Sequence, residues 1–119
     1  KPWLPVPVDH YGKAVDIQEK AESSVLRHYQ RFLAFRRSLP ALAKGDIKFL
    51  DDSEHVVAFK RAYGNETIIC AFNLGAAPAS ISLSKIGPWQ ELAGHGFENQ
   101  AENGSVTLAP FSAWYARSV

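Results

Sequence analysis

A mostly β fold is predicted for this chain: an antiparallel β-sandwich of about seven or eight strands, preceded by one long amphipathic helix and a Pro-rich loop. Three observations predict it. Apolar residues recur at helical spacing in one stretch only, between about residues 16 and 39. After Gly45 the apolar period drops to that of strands and stays there to the end of the chain. Gly, Asn, Asp and Pro then interrupt the sequence at intervals that suit short strands and tight turns. The chain thus divides into residues 1–44, loop and helix, and residues 45–119, an all-β unit.

The opening stretch, Lys1 to His10, carries prolines at 2, 5 and 7. Each removes an N–H and pushes the preceding residue toward extended geometry, so neither a helix nor a central strand forms. Trp3, Leu4, Val6 and Val8 are nonetheless apolar and call for a surface to lie on. From about Asp16 the pattern is helical. Asp16 and Glu19 have capping-box spacing, and Ser23 or Ser24 offers a second N-cap. Val25, Leu26, Tyr29, Phe32, Leu33, Phe35 and Leu39 follow, filling an arc of roughly 180°, wider than one core requires. Pro40 is expected to end the helix. Arg36 falls inside the apolar arc; it either snorkels or pairs at the edge of the packed face, or forms a buried ion pair against a neighbouring domain. His28 reads as a packed or capping histidine.

The strands follow in order. Ile47–Leu50 reads as the first, with Asp51-Asp52-Ser53 as its turn. Val56–Ala62 alternates, with Val57 and Phe59 on one face, and Tyr63-Gly64-Asn65 is a hairpin turn. Thr67–Asn73 (TIICAFN) is an unbroken apolar run, the mark of a central strand covered on both faces. On that reading Phe72 is a core residue. Ala79–Leu83, Trp89–Leu92, Ser105–Leu108 and Ala113–Ser118 complete the set, with Gly87-Pro88 as a break and Asn103-Gly104 as a further hairpin signal.

Composition narrows the function. Hydrophobic residues make up 46% and charged residues 21% of the 119, which excludes disorder and supports one real core. Thirteen Lys and Arg against twelve Asp and Glu leave a formal charge of +1, which implies no partner among nucleic acids or anionic membranes. Cys70, the single cysteine, excludes an internal disulfide and sites of the CxxC type, and favours a reducing compartment. The absence of methionine and the start at Lys1 lead us to expect a segment of something longer.

A search for chemistry finds no catalytic constellation. Asp51, Asp52 and Glu54 fall in a predicted turn, where carboxylates are solvated. Glu91, Glu98 and Glu102 are scattered among Gly-rich loops. Cys70 lies mid-strand as inert packing, and His10, His28, His55 and His95 have no metal-ligand spacing. Gly94-His95-Gly96 lacks the length and following helix of a phosphate loop. No catalytic residue, metal or cofactor is expected. Trp3, Trp89 and Trp114 remain as candidates for sugar or interdomain contact. Trp89 and Trp114, with Tyr63, could serve a carbohydrate-binding module, or simply pack in the sandwich.

The order of elements resembles the C-terminal part of bacterial α-glucosidases and oligo-1,6-glucosidases of the α-amylase family. The resemblance rests on Pro2-Trp3, Val15 with Gln18, Ser24 through Tyr29, Leu33 with Arg36-Arg37, and Pro40-Ala41-Leu42 with Gly45. It continues through Val57-Ala58-Phe59 with Arg61, Asn73-Leu74 and the ending LAPFSAWYARSV. It departs at Ala21-Glu22, where an Asp-Pro pair commonly precedes the helix. The resemblance implies that residues 1–44 end a (β/α)8 barrel and that residues 45–119 form the C-terminal sandwich. The barrel's nucleophile Asp, acid/base Glu and stabilising Asp have no counterpart here. It further implies a non-catalytic role in a retaining bacterial enzyme of the cytoplasm, the partner being the barrel of the same polypeptide. The wide helix arc then has an explanation, one side on the barrel and the other on the sandwich. An isolated segment would hide the same face in a homodimer. The alternatives are a carbohydrate-binding module and a stand-alone interaction or dimerisation domain.

Overall fold

The computed structural model of the chain describes residues 3–84, 86–102 and 104–119, without the side chains of Asp51, Asp52 and Gln100. Pro2 of the Pro-rich start and Asn103 of the last hairpin signal lie outside the described residues. The helical part is a 3-10 turn at Val8–Lys13 followed by three helices, α1 (Val15–Lys20), α2 (Val25–Ser38) and α3 (Pro40–Lys44). Eight strands follow: β1 (Asp46–Ser53), β2 (Val56–Tyr63), β3 (Glu66–Asn73), β4 (Ala79–Ser82), β5 (Trp89–Glu91), β6 (Gln100–Glu102), β7 (Ser105–Leu108) and β8 (Ala113–Ser118).

The single helix expected from Asp16 to Pro40 is broken once, between α1 and α2, and ends before Pro40 as expected, each with a local cause. Ala14 takes the N-cap position of α1, so Asp16 lies in its first turn and the capping box is not formed. Ser24, extended at φ −157°, caps α2 by accepting the Arg27 N–H at 3.2 Å. Gln18 holds the break together: its Oε1 accepts the Leu26 N–H at 3.0 Å, and its backbone carbonyl accepts from the Ser24 hydroxyl at 2.9 Å. At the far end, Leu39 is forced out of helical geometry by the proline that follows it. Pro40 thus ends α2 as expected, and it also opens α3 at its first turn, where its missing N–H costs nothing.

Two antiparallel sheets form the sandwich, one in the order β1-β2-β3-β8-β5 and the other β4-β7-β6. Strand β3 is central, and its period of two separates its side chains cleanly. Ile69 and Ala71 join Val56, Ala58, Val106, Leu108, Trp114 and Ala116 between the sheets. Ile68 and Cys70 point the other way and pack with Phe35, Leu39, Ala41, Leu42, Ala113 and Tyr115 beneath the helices. The result is three layers: helices, five-stranded sheet, three-stranded sheet.

Three features differ from expectation. Strand β1 continues through Asp51 and Asp52 to Ser53, past a bulge between Phe49 and Asp52, so the turn is at Glu54–His55. Three-residue β6 is too short to declare itself by alternation. Phe72, expected in the core, is only partly buried, because it sits at an open groove beside α2.

Polar pins tie the layers. Asn73, 1% exposed, donates through Nδ2 to the carbonyls of Ala77, Leu108 and Ala109, while its Oδ1 accepts the Gly75 N–H. Glu66 accepts the Ala41 N–H at 2.8 Å, capping α3 from across the fold, and its other oxygen pairs with Arg117 at 3.1 Å. Arg61 donates to the carbonyl of Gly45, where a Cβ would lie 2.4 Å from the Ala41 carbonyl, so only glycine fits at that junction.

Burial ranks two substitutions on β3. Ile69→Ala, at a site 1% exposed, is expected to cost about 2–5 kcal/mol, and Phe72→Ala, at the groove, about 1–3 kcal/mol. Urea midpoints at unchanged m-value test the order; a larger loss for Phe72→Ala would show the groove to be closed.

Candidate functional site

The apolar arc of α2 divides between two environments. Phe35 and Leu39 are buried on the sheet and Phe32 packs beside them. Val25, Tyr29 and Leu33, one stripe at i, i+4 and i+8, remain 69%, 59% and 40% exposed. The preceding segment adds Trp3, Leu4, Val6, Val8, Tyr11, Val15 and Ile17, all exposed. Residues 8–20 bury nothing although they are folded into helical turns. Arg36 is half-buried and makes no ion pair among the described residues. These exposed apolar side chains outnumber the buried ones on the helical part of the chain.

The helix-side face of the large sheet carries a ladder of rings. Phe49 meets Phe59 at 5.8 Å, Phe59 stacks on Phe72 at 5.6 Å, and Phe72 meets Tyr115 edge-on at 5.8 Å. Phe49, on edge strand β1, is exposed. A groove opens between this ladder and α2, lined by His28, Tyr29, Phe32, Phe72, Phe97 and Tyr115. His28 is packed edge-on against Phe97 at 5.0 Å, as a packed histidine was expected to be.

The loop that brings Phe97 to the groove is held by His95, which sequence reasoning passed over for want of a ligand pattern. His95 is 3% exposed and lies among Phe35, Phe97 and Tyr115. Nε2 bonds the Leu92 carbonyl at 2.8 Å, and Nδ1 accepts the Phe97 N–H at 3.1 Å. That arrangement employs both nitrogens of a neutral ring. Burial accordingly lowers the His95 pKa below the ordinary histidine value, against smaller opposing effects of the Leu92 carbonyl and Glu91.

The three tryptophans do not form a platform. Trp114 is fully buried between the sheets, its Nε1–H donating to Glu91 at 3.0 Å, so it offers no ring face to a sugar. Partly buried Trp89 stands edge-on to it at 5.2 Å and 81°. Trp3 is 90% exposed on the N-terminal segment. Tyr63 is half-exposed, with the Lys44 ammonium 5.9 Å above its ring. Burial pushes the Cys70 thiol up to about 12, which makes it inert packing rather than a nucleophile. Among the described residues no group of three or more His, Cys, Asp and Glu is placed to hold a metal, and no helix is long and apolar enough to cross a membrane.

The geometry defines a class of module: an antiparallel sandwich whose leading helix shelters one apolar face on the sheet and presents another outward. Residues 47–114, more than half of the chain, match the family described as Maltogenic Amylase, C-terminal domain, and the chain belongs to that family of α-amylase-type C-terminal domains. A probable alpha-glucosidase of Rhizobium meliloti (strain 1021) is 42% identical over 118 residues, covering 98% of this chain and 21% of the relative. A cyclomaltodextrinase of Geobacillus thermopakistaniensis (strain MAS1) is 30% identical over 99 residues, covering 78% of this chain and 17% of the relative. Among solved structures, the alpha-glucosyl transfer enzyme XgtA matches with a TM-score of 0.92 and 35% identity, over 100% of this chain and 22% of that one. The chain thus spans about a fifth of the length of the relatives it matches.

The buried imidazole sets a pH dependence. As pH falls through the ordinary histidine value, the unfolded chain takes up a proton that the native state resists, so stability present above that value is lost. The urea midpoint is expected to fall between pH 7 and pH 5, and to fall less in His95→Gln; equal falls would exclude His95 as the cause.

Proposed function

We propose that this chain is the non-catalytic C-terminal segment of an α-glucosidase-like glycoside hydrolase, packing on and stabilising its catalytic barrel. On this reading residues 1–44 supply the closing loop and last helix of a (β/α)8 barrel, and residues 45–119 are the sandwich behind it. The observation that carries the reading is the outward stripe Val25–Tyr29–Leu33, continued by exposed Trp3 and its neighbours. The named relatives support the choice of partner, since each is a larger enzyme acting on α-glucosidic or related substrates by name.

The parent would hydrolyse a terminal α-glucosidic bond with retention, using a nucleophile and an acid/base held about 5–5.5 Å apart. Those carboxylates belong to the barrel. The contribution of this segment is positional: a helix clamped on both faces holds the loop before it, and small displacements near a catalytic centre cost rate. The lone buried Cys70 fits a reducing, cytoplasmic setting. Separated from its barrel, the segment would cover the stripe with a second copy of itself.

Three measurements test this. The 119-residue chain alone is expected to leave a chromogenic α-glucoside unhydrolysed above buffer rates, and activity would overturn the non-catalytic assignment. Titration with maltose should leave tryptophan fluorescence unchanged, because Trp114 is sealed, Trp89 is engaged edge-on with it and exposed Trp3 is assigned to the barrel face; saturable quenching would favour a carbohydrate-binding module. Leu33→Glu should lower the Tm of the longer polypeptide by several degrees while leaving the 119-residue chain little changed, because the side chain is solvated in one and buried in the other.

A further inference from the structure

Arg36 belongs to the outward stripe of α2. It follows Val25 by eleven residues, about three helical turns, and Tyr29 by seven, about two turns, so it comes round to the same side as both. Of the arginines on this helix, Arg27, Arg31 and Arg37 are exposed, whereas Arg36 is half-buried. Its helical neighbours are apolar: Phe32 and Leu33 one turn before it, and buried Leu39 three residues after.

Two other arginines are half-buried, and each has a built partner. Arg61 donates to the Gly45 carbonyl, and Arg117 donates to Glu66 at 3.1 Å. Arg36 has neither an ion pair nor a side-chain hydrogen bond among the described residues. Nor is its head group sealed. The buried side-chain atom left without a partner, among the described residues, is the Tyr115 hydroxyl, so the Arg36 nitrogens keep contact with solvent and are open to an acceptor arriving from outside. Water serves such a guanidinium while its face is bare. Once a body covers that face the water leaves, and a charge desolvated without a counter-charge is costly.

We propose that the catalytic portion of the same polypeptide places a carboxylate opposite Arg36, making one charge-paired contact within an otherwise apolar junction. This rests on the reading of the chain as a segment packed on such a body. Three observations select that occupant. The stripe that holds Arg36 is the face assigned to the barrel. The solved relative XgtA contains a module of this shape, TM-score 0.92 over 100% of this chain, yet is covered only to 22%, so a larger body is present beside the module in that protein. A guanidinium presents N–H donors in a planar fork, which a carboxylate meets with two parallel bonds and a negative charge.

The test is Arg36→Met in the longer polypeptide, since methionine keeps an unbranched stem of similar helix propensity and removes the charge. At pH 7 the Tm should fall by several degrees, because the variant strands a buried carboxylate. That deficit should shrink at pH 5, where a stranded carboxylate, its pKa raised by burial, takes up a proton. His95 is present in both proteins and cancels in the difference. A Tm that holds or rises at pH 7 overturns the proposal and leaves a snorkelling arginine. A deficit equal at the two pH values overturns it in favour of a carbonyl acceptor. In the 119-residue chain the same substitution should leave Tm nearly level; an equal fall there would give Arg36 a role inside the module instead. If that chain sediments as a dimer that Arg36→Met dissolves, the counter-charge belongs to a second copy and the proposal fails. Leu33→Glu separates the two levels. If it lowers the Tm of the longer polypeptide while Arg36→Met does not, packing on the barrel stands and the ion pair is wrong. If it leaves that Tm unchanged, the packing itself is wrong and the ion pair falls with it.

Discussion

Helix α2 has more apolar surface than one sheet shelters, and most of the architecture answers to that constraint. Phe35 and Leu39 bury themselves against Ile68, Cys70 and Tyr115, which fixes the helix to the five-stranded sheet. Val25, Tyr29 and Leu33 are then turned outward by the helical period itself, since a stripe repeating every four residues keeps to one side of the helix while Phe35 faces the sheet from another. The leftover stripe has to find its cover elsewhere, and the proposed function is the simplest way of giving it one.

The join between helix and sandwich depends on polar groups more than on extra grease. Glu66 reaches from β3 to cap α3, replacing the side-chain cap that Leu39 cannot provide, and it also takes the charge of Arg117. Arg61 closes the opposite side onto the Gly45 carbonyl. Asn73 gathers three carbonyls from two loops at the end of the sandwich, and neutral His95 locks the loop that carries Phe97. These contacts are buried or partly buried, where a satisfied polar group holds geometry firmly and a stranded one is costly. They tie the helices and the Phe97 loop to the large sheet.

Much of this was legible from residue order. The strand-like alternation after Gly45, the continuous run TIICAFN and the turn at Gly64 all appear where they were read, and β7 and β8 match their expected bounds. Ser24 was one of two readable caps and is the one used. The errors have physical causes. Asp51 and Asp52 were placed in a turn because carboxylates favour turns, yet a bulge carries the edge strand through them. Pro40 stops α2 as read, and what went unread is that it also starts α3, because a proline suits a first helical turn as well as a stop. Of the two readings open for Trp114, sugar contact or packing in the sandwich, inward alternation on β8 realises the second and seals it between the sheets.

What the sequence determined by itself is the set of elements and the excess of apolar positions on one helix, because both follow from local periodicity and from proline and glycine stereochemistry. Only the tertiary structure decided which half of that apolar arc is covered, that Phe72 borders a groove, and that the Tyr115 hydroxyl is buried without a hydrogen-bond partner among the described residues. Those outcomes depend on where residues distant in the chain come to rest, and no period of two or 3.6 encodes the distance between a helix, a strand and a loop.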